Sequence, residues 1–145
     1  MGRLLAIDYG RRRCGIAVTD PMRIIAKGLT TVPTSGLIDF IRNYISGEPV
    51  DAVIVGLPRD VHGRESDSMR YIRPGIGRLS AALPELRVIF FDERFTSVIA
   101  HRSMIESGMK KMQRRDKAAV DTMAAAIILN DFLQSRQYAD QTIIQ

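Results

Sequence analysis

The sequence predicts an α/β fold in which helices cover a mixed β-sheet. In the first third of the chain, short apolar runs joined by glycine-bounded turns indicate strands connected as hairpins. Farther along, apolar runs alternate with segments of helical spacing, which is typical of parallel strands joined by helices. The 145 residues contain no internal repeat or linker, so we expect one domain.

The first three strands are expected to pair as an antiparallel series. Residues 3–8 and 14–19 are apolar runs separated by a short turn that contains Gly10, which predicts a hairpin. Residues 24–32 predict a third strand. Residues 37–45 then have helical spacing, and the helix is expected to end before Gly47.

The rest of the chain predicts alternating strands and helices. Residues 52–56 form a short apolar run of the kind found in buried parallel strands. A polar loop leads from there into a helix, which Pro74, Gly75 and Gly77 are expected to break or kink. The remaining predicted elements are a fifth strand at 87–91 and helices at 96–106 and 116–135.

Two carboxylates follow predicted strands. Asp8 ends the first strand and is followed by Gly10, and Glu93 follows the fifth strand directly. If these two strands are parallel neighbours, both acids lie at the carboxyl ends of the sheet, where open α/β sheets place their ligands. This pattern predicts a site rather than a solvated surface.

A third carboxylate interrupts the apolar face of the last helix. Asp121 is the single charge on a stripe that also contains Ala118, Ala125, Ile128 and Phe132. Burying an ion costs several kcal/mol unless a cation or strong donors compensate it, so Asp121 is expected to have such a partner. The alternatives are a structural ion pair with Lys117 one turn back and a stripe that is less buried than the pattern indicates.

These three acids together predict a divalent-metal site. Asp8 would bridge two Mg²⁺ or Mn²⁺ ions about 4 Å apart, and Glu93 and Asp121 would each help to hold one of them. Oxygen ligands suit such hard cations, and neither His nor Cys occurs at a zinc-like spacing. The single cysteine, Cys14, is interpreted as a small apolar residue of a strand.

Positive charge is concentrated beside the acids. The net charge is +5, three consecutive arginines follow the first acid, and a basic segment at 110–117 leads into the last helix. This arrangement suits a nucleic acid held by its phosphates, although basic loops can also be merely solvated. The residues expected to contact phosphate are Arg11, Arg12, Arg13, Arg94, Lys110, Lys111, Arg114, Arg115 and Lys117. No apolar run approaches the length of a membrane span and no signal-peptide pattern begins the chain, so a cytoplasmic location is expected.

The motifs resemble the YqgF or RuvX group of bacterial RNase H-like nucleases, described both as Holliday junction resolvases and as pre-16S ribosomal RNA nucleases. They are Asp8-Tyr9-Gly10 with Gly15, Val55-Gly56-Leu57-Pro58 with Gly63, Asp92-Glu93-Arg94-Phe95-Thr96-Ser97, and Lys117 with Asp121. The resemblance implies an RNase H-like nuclease domain at residues 1–138, with a five-stranded mixed sheet flanked by helices, and a C-terminal tail at 139–145. It also implies that Asp8, Glu93 and Asp121 form the acidic catalytic site.

We therefore expect a metal-dependent endonuclease, a hydrolase of phosphodiester bonds that acts at the 5′ end of pre-16S ribosomal RNA. One alternative is a Holliday junction resolvase on branched DNA, which would need a homodimer to present two sites. Another is a non-catalytic nucleic-acid or ribosome-binding module. An ATPase of the actin and sugar-kinase type would need two such domains, which this chain is too short to contain.

Overall fold

The computed structural model describes residues 2–58, 66–92, 117–135 and 137–139. Its strands are β1 (Arg3–Tyr9), β2 (Arg13–Thr19), β3 (Ala26–Pro33), β4 (Val50–Leu57) and β5 (Arg87–Asp92). Its helices are α1 (Leu37–Gly47), α2 (Met69–Ala82) and α3 (Lys117–Leu133), and a 3₁₀ turn (Thr34–Gly36) precedes α1. The helix expected at 96–106 lies outside the described residues.

The strands form a single five-stranded mixed sheet, which confirms the predicted fold class. Their order is β3-β2-β1-β4-β5. The pairs β1–β2 and β2–β3 are antiparallel, whereas β1–β4 and β4–β5 are parallel. The strands that end near Asp8 and at Asp92 are therefore parallel, but they are not neighbours, because β4 lies between them.

Helices pack on both faces of the sheet. The large apolar side chains of the central strands, such as Leu5, Ile16 and Val53, face α1 and α2. The opposite face carries smaller residues, among them Ala6 and Ala17, and packs against α3. Alternate residues of a strand point to opposite faces, so the two faces can differ in side-chain size. The small side chains on this face let α3 lie close to the sheet.

The closest approach of α3 to the sheet is at Gly15 in β2. A Cβ atom added to Gly15 would overlap the backbone carbonyl oxygen of Asp121. One residue farther along α3, the hydroxyls of Thr31 and Thr122 form a hydrogen bond. The absence of a side chain at Gly15 thus sets where the first half of α3 rests on the sheet.

The expected break in α2 does not occur, because the helix is continuous through Pro74. The expected kink stays a prediction. An interior proline costs about 3 kcal/mol, whereas each fully buried large apolar side chain contributes roughly 1.5–3 kcal/mol. The buried face of α2 carries four such side chains, which are Met69, Ile72, Ile76 and Leu79.

Gly75 has a packing role in the same helix, because a Cβ atom there would overlap the Tyr9 hydroxyl oxygen.

The chain after α3 returns to the edge of the sheet. The side-chain amide of Gln137 donates a hydrogen bond to the carbonyl oxygen of Phe90 in β5 at 3.0 Å. The Tyr138 ring meets the Phe132 ring edge-on, with 5.7 Å between centroids. Within the described ranges, no helix is both long and apolar enough to cross a membrane.

Replacing Gly15 with alanine is expected to lower the free energy of unfolding by about 1–3 kcal/mol, because the new methyl group overlaps the α3 backbone and cannot be accommodated by side-chain rotation. The matched control is Gly77→Ala in α2, where a Cβ would meet no atom within 4 Å. That change should be neutral or stabilising by roughly 0.4–1 kcal/mol. Urea denaturation followed by circular dichroism measures both, and equal stabilities for the two variants would contradict the contact at Gly15.

Candidate functional site

Asp8 and Asp121 lie on the same side of the sheet, at the end where β1 stops. Asp8 is paired across the hairpin with Gly15, and strand alternation puts its side chain on the face that α3 covers. The α3 backbone rests on Gly15 at Asp121 itself. The negative charges of both acids help to raise the pKa of the Cys14 thiol, after the larger effect of its burial.

The partner of Asp121 is Arg13 in β2. The Arg13 Nε donates a hydrogen bond to Asp121 Oδ2 at 2.8 Å, and the two side chains are 38% and 18% exposed. The expected compensating cation is therefore present, and it comes from the β1–β2 hairpin. Lys117 is the first residue of α3, and its side chain is not among those described.

A cleft of about 600 Å³ opens beside Asp121. Its walls are the β1–β2 turn and the beginning of α2, and the lining residues are Gly10, Arg11, Arg12, Arg13, Asp67, Ser68, Tyr71 and Asp121. The Arg11 guanidinium carbon lies 5.3 Å from the centroid of the Tyr71 ring. The cleft thus presents guanidinium groups, two carboxylates and an aromatic ring to the same volume.

Sequence reasoning missed the contribution of α2 to this cleft. Asp67, Ser68 and Tyr71 belong to no recognised motif and lie more than fifty residues after the arginines. A signal was nevertheless present, because α2 follows the carboxyl end of β4, and this end of a parallel sheet is where ligand sites form. The start of α2 therefore had to reach the same edge as Asp8.

The structure brings five of the predicted site residues to one edge of the sheet, and these are Asp8, Arg11, Arg12, Arg13 and Asp121. Of the other predicted residues, Lys117 begins α3, and six lie outside the described residues, namely Glu93, Arg94, Lys110, Lys111, Arg114 and Arg115. Within the described residues, no group of three or more His, Cys, Asp or Glu side chains is placed to hold a metal ion. Asp92 belongs to the opposite face, because its neighbours Ile89 and Phe91 face α3.

Cys14 lies in β2 and is fully buried, on the face of the sheet opposite to Asp8 and Asp121. Burial raises the pKa of the Cys14 thiol; hydrogen bonds with Thr34 and Gly10 oppose that rise, and the charges of Asp8 and Asp121 add to it. The group therefore remains a protonated thiol near neutral pH. This supports its interpretation as an apolar core residue without a chemical role.

Comparison with known sequences identifies relatives over almost the whole chain. The profile of the family described as RuvX, Holliday junction resolvase, matches residues 2–135. A Porphyromonas gingivalis protein named "Putative pre-16S rRNA nuclease" is 55% identical over 135 residues, which are 93% of this chain and 98% of that protein. A Bacteroides fragilis protein of the same name is 51% identical over 137 residues, covering 94% and 99% of the two chains.

Among solved structures, T. thermophilus RuvC is similar to this chain in fold. The structure described as T. thermophilus RuvC in complex with Holliday junction substrate superposes with a TM-score of 0.57 and 15% sequence identity. The match covers 92% of this chain and 96% of that one. It confirms the RNase H-like fold that the sequence motifs imply.

Cys14 is expected to react with iodoacetamide at least ~10-fold more slowly in the native protein than in urea at pH 8. The raised pKa keeps the thiolate fraction small, and burial in the core blocks access to the sulfur. Mass spectrometry of timed samples measures the modified fraction. Similar rates in the native and unfolded protein would contradict the placement of Cys14, and free cysteine under both conditions controls for effects of urea on the reagent.

Proposed function

Because this chain belongs to the RuvX family, we propose that it is a metal-dependent endonuclease that hydrolyses phosphodiester bonds at the 5′ end of pre-16S ribosomal RNA. One observation carries the proposal. Asp8 and Asp121 lie on the same face at the carboxyl end of β1, and Asp121 borders a cleft whose other wall is the arginine-rich β1–β2 turn. Carboxylates next to arginines that form no ion pair with a described carboxylate suit hydrolysis of a polyanion.

Ribosomal RNA is preferred to branched DNA because of the relatives. Proteins about half identical to this chain over nearly its whole length carry the name of a pre-16S rRNA nuclease. The resolvase description belongs to the family as a whole and to a structural match at 15% identity. Cleavage of a Holliday junction is therefore the second candidate, and the family description is the observation that favours it.

The β1–β2 turn would bind the phosphates of the substrate. Arg11 and Arg12 are exposed in the turn and border the cleft. Within the described part of the chain, neither forms an ion pair with a carboxylate. Their guanidinium groups can therefore form charge-assisted hydrogen bonds with phosphate oxygens. The ring of Tyr71 lies below the Arg11 guanidinium and stacks with the ring of Tyr9, so it supports Arg11 through a cation–π contact.

The two described carboxylates suit a hard divalent cation, because they offer oxygen donors on one face of the sheet. We propose Mg²⁺ or Mn²⁺, with Asp8, Asp121 and Glu93 as the residues that would hold it and a two-metal-ion mechanism as the chemistry. Such ions activate a water molecule and stabilise the leaving oxygen of a phosphodiester. Arg13 now neutralises Asp121, so occupation of the site would release Arg13 to pair with a substrate phosphate.

Asp8→Asn and Asp121→Asn are each expected to lower cleavage of labelled pre-16S RNA by about 100-fold or more, since each removes a carboxylate from a centre worth several kcal/mol in the transition state. The measurement is single-turnover cleavage with Mg²⁺ or Mn²⁺, and with chelator as a blank. Glu85→Gln is the matched control, because this exposed acid follows α2 near the start of β5, at the other end of the sheet. It should cleave at the wild-type rate.

The result of the same assay on a four-way DNA junction decides between the candidates. Cutting of RNA alone supports the proposed function, and cutting of the junction alone supports the second candidate. Binding without cutting of either substrate by the wild-type protein would overturn both and favour a non-catalytic binding module. Undiminished metal-dependent cutting by Asp8→Asn would overturn the assignment of the acids.

Arg13→Gln is expected to tighten binding of Mn²⁺ by about two- to five-fold, because it removes the cation that now pairs with Asp121, and partly exposed ion pairs are worth about 0.2–1 kcal/mol. Isothermal titration calorimetry without nucleic acid measures the affinity. The control is Arg42→Gln, which breaks the ion pair with Asp39 on the surface of α1 and should leave the affinity unchanged. Weaker or unaltered Mn²⁺ binding by Arg13→Gln would show that Arg13 and the ion do not compete.

A further inference from the structure

A second cavity lies on the other side of the β1–β2 turn, between the turn and helices α1 and α2. Its volume is about 400 Å³. Its polar lining consists of Tyr9, Arg11, Arg12, Thr34, Ser35 and Arg78. Arg11 and Arg12 border both this cavity and the cleft beside Asp121. The turn is therefore a shared wall between two concave sites.

The described residues that line this second cavity carry an unbalanced positive charge. Each ion pair within the described residues uses a different arginine, namely Arg3, Arg13, Arg23 or Arg42. Arg11, Arg12 and Arg78 form no ion pair with a described carboxylate, and none of the described residues that line the cavity is acidic. Three guanidinium groups at one cavity repel one another, and a bound anion would relieve that repulsion.

The neighbours of these arginines hold them without neutralising them. Tyr9 and Arg78 line the cavity together, and burial raises the pKa of Tyr9 so that the phenol stays uncharged at neutral pH. The hydroxyl of Thr34 donates to the carbonyl oxygen of Gly10 at 2.7 Å, and its backbone N–H donates to that of Arg12 at 3.0 Å. The turn is thereby positioned, and none of these neighbours carries a compensating negative charge.

We propose that this second cavity binds a backbone phosphate of the nucleic acid. That phosphate and the phosphate bound beside Asp121 would lie on opposite sides of the β1–β2 turn. The proposal rests on the function proposed for the cleft, because a strand that crosses the turn would place phosphates on both sides of Arg11 and Arg12. Of the three arginines that line the second cavity, Arg78 does not also line the cleft beside Asp121. The N-terminus of α1, which follows Ser35, adds partial positive charge on the same side.

The test compares Arg78→Gln with Arg87→Gln. Both remove one exposed arginine, but Arg87 begins β5 at the opposite end of the sheet from the turn. The probe is fluorescent pre-16S RNA in chelator, with the Kd followed against KCl concentration. Arg78→Gln should weaken binding and lower the slope of log Kd against log salt by about 0.7–0.9, the value for one phosphate contact. Arg87→Gln should match the wild type, and Arg78→Lys should keep the slope because it keeps the charge.

Three results would overturn the proposal. The first is equal slopes and affinities for Arg78→Gln and Arg87→Gln. The second is absence of RNA binding by the wild-type protein. The third is a rise in Tm with inorganic phosphate that Arg78→Gln abolishes while RNA binding stays unchanged, which would assign the cavity to free phosphate. Cleavage by the wild-type protein is scored separately, so loss of the subsite with intact cleavage refutes only the subsite.

Discussion

The contact between Gly15 and the backbone of Asp121 is the constraint on which the rest of the site depends. Any side chain at Gly15 would overlap the carbonyl oxygen of Asp121, so glycine alone allows α3 to rest directly on β2. The same contact places Asp121 beside Asp8, the cross-strand partner of Gly15. It also brings Arg13, on the same face of β2, within hydrogen-bond distance of the Asp121 carboxylate. One missing side chain thus determines the position of an acid and of its counter-cation.

The charges around this contact are arranged unequally. Arg13 is engaged with Asp121, whereas Arg11 and Arg12, which precede it in the same turn, have no carboxylate partner among the described residues. A single turn therefore supplies one cation that compensates the protein's own acid and two that can compensate a ligand. A polyanion that approaches the acids meets the positive groups first, which lowers the electrostatic cost of bringing phosphate to carboxylate.

The sequence predicted most of the sheet, because strands depend on local pattern. The apolar stripe of α3 was also read from local pattern, and its members Ala125, Ile128 and Phe132 are buried against the sheet. The partner of Asp121 was not predictable in this way, since Arg13 is 108 residues away in the chain and only the packing of α3 brings the two together. The continuity of α2 through Pro74 was missed for a related reason, because the burial of its apolar face outweighs the local preference of one residue.

The β1–β2 hairpin ends between two close contacts, one on each face of the sheet. On one face Gly15 admits the α3 backbone, and on the other Gly75 of α2 admits the Tyr9 hydroxyl. Thr34 adds two hydrogen bonds to the turn itself. The backbone that carries the arginines is therefore held from both sides, although their side chains remain exposed. Ordering a flexible loop costs free energy on binding, so a turn held in this way would retain as affinity more of the energy of the phosphate contacts proposed for it. The two glycines fix the backbone from which the arginines of that proposed surface extend.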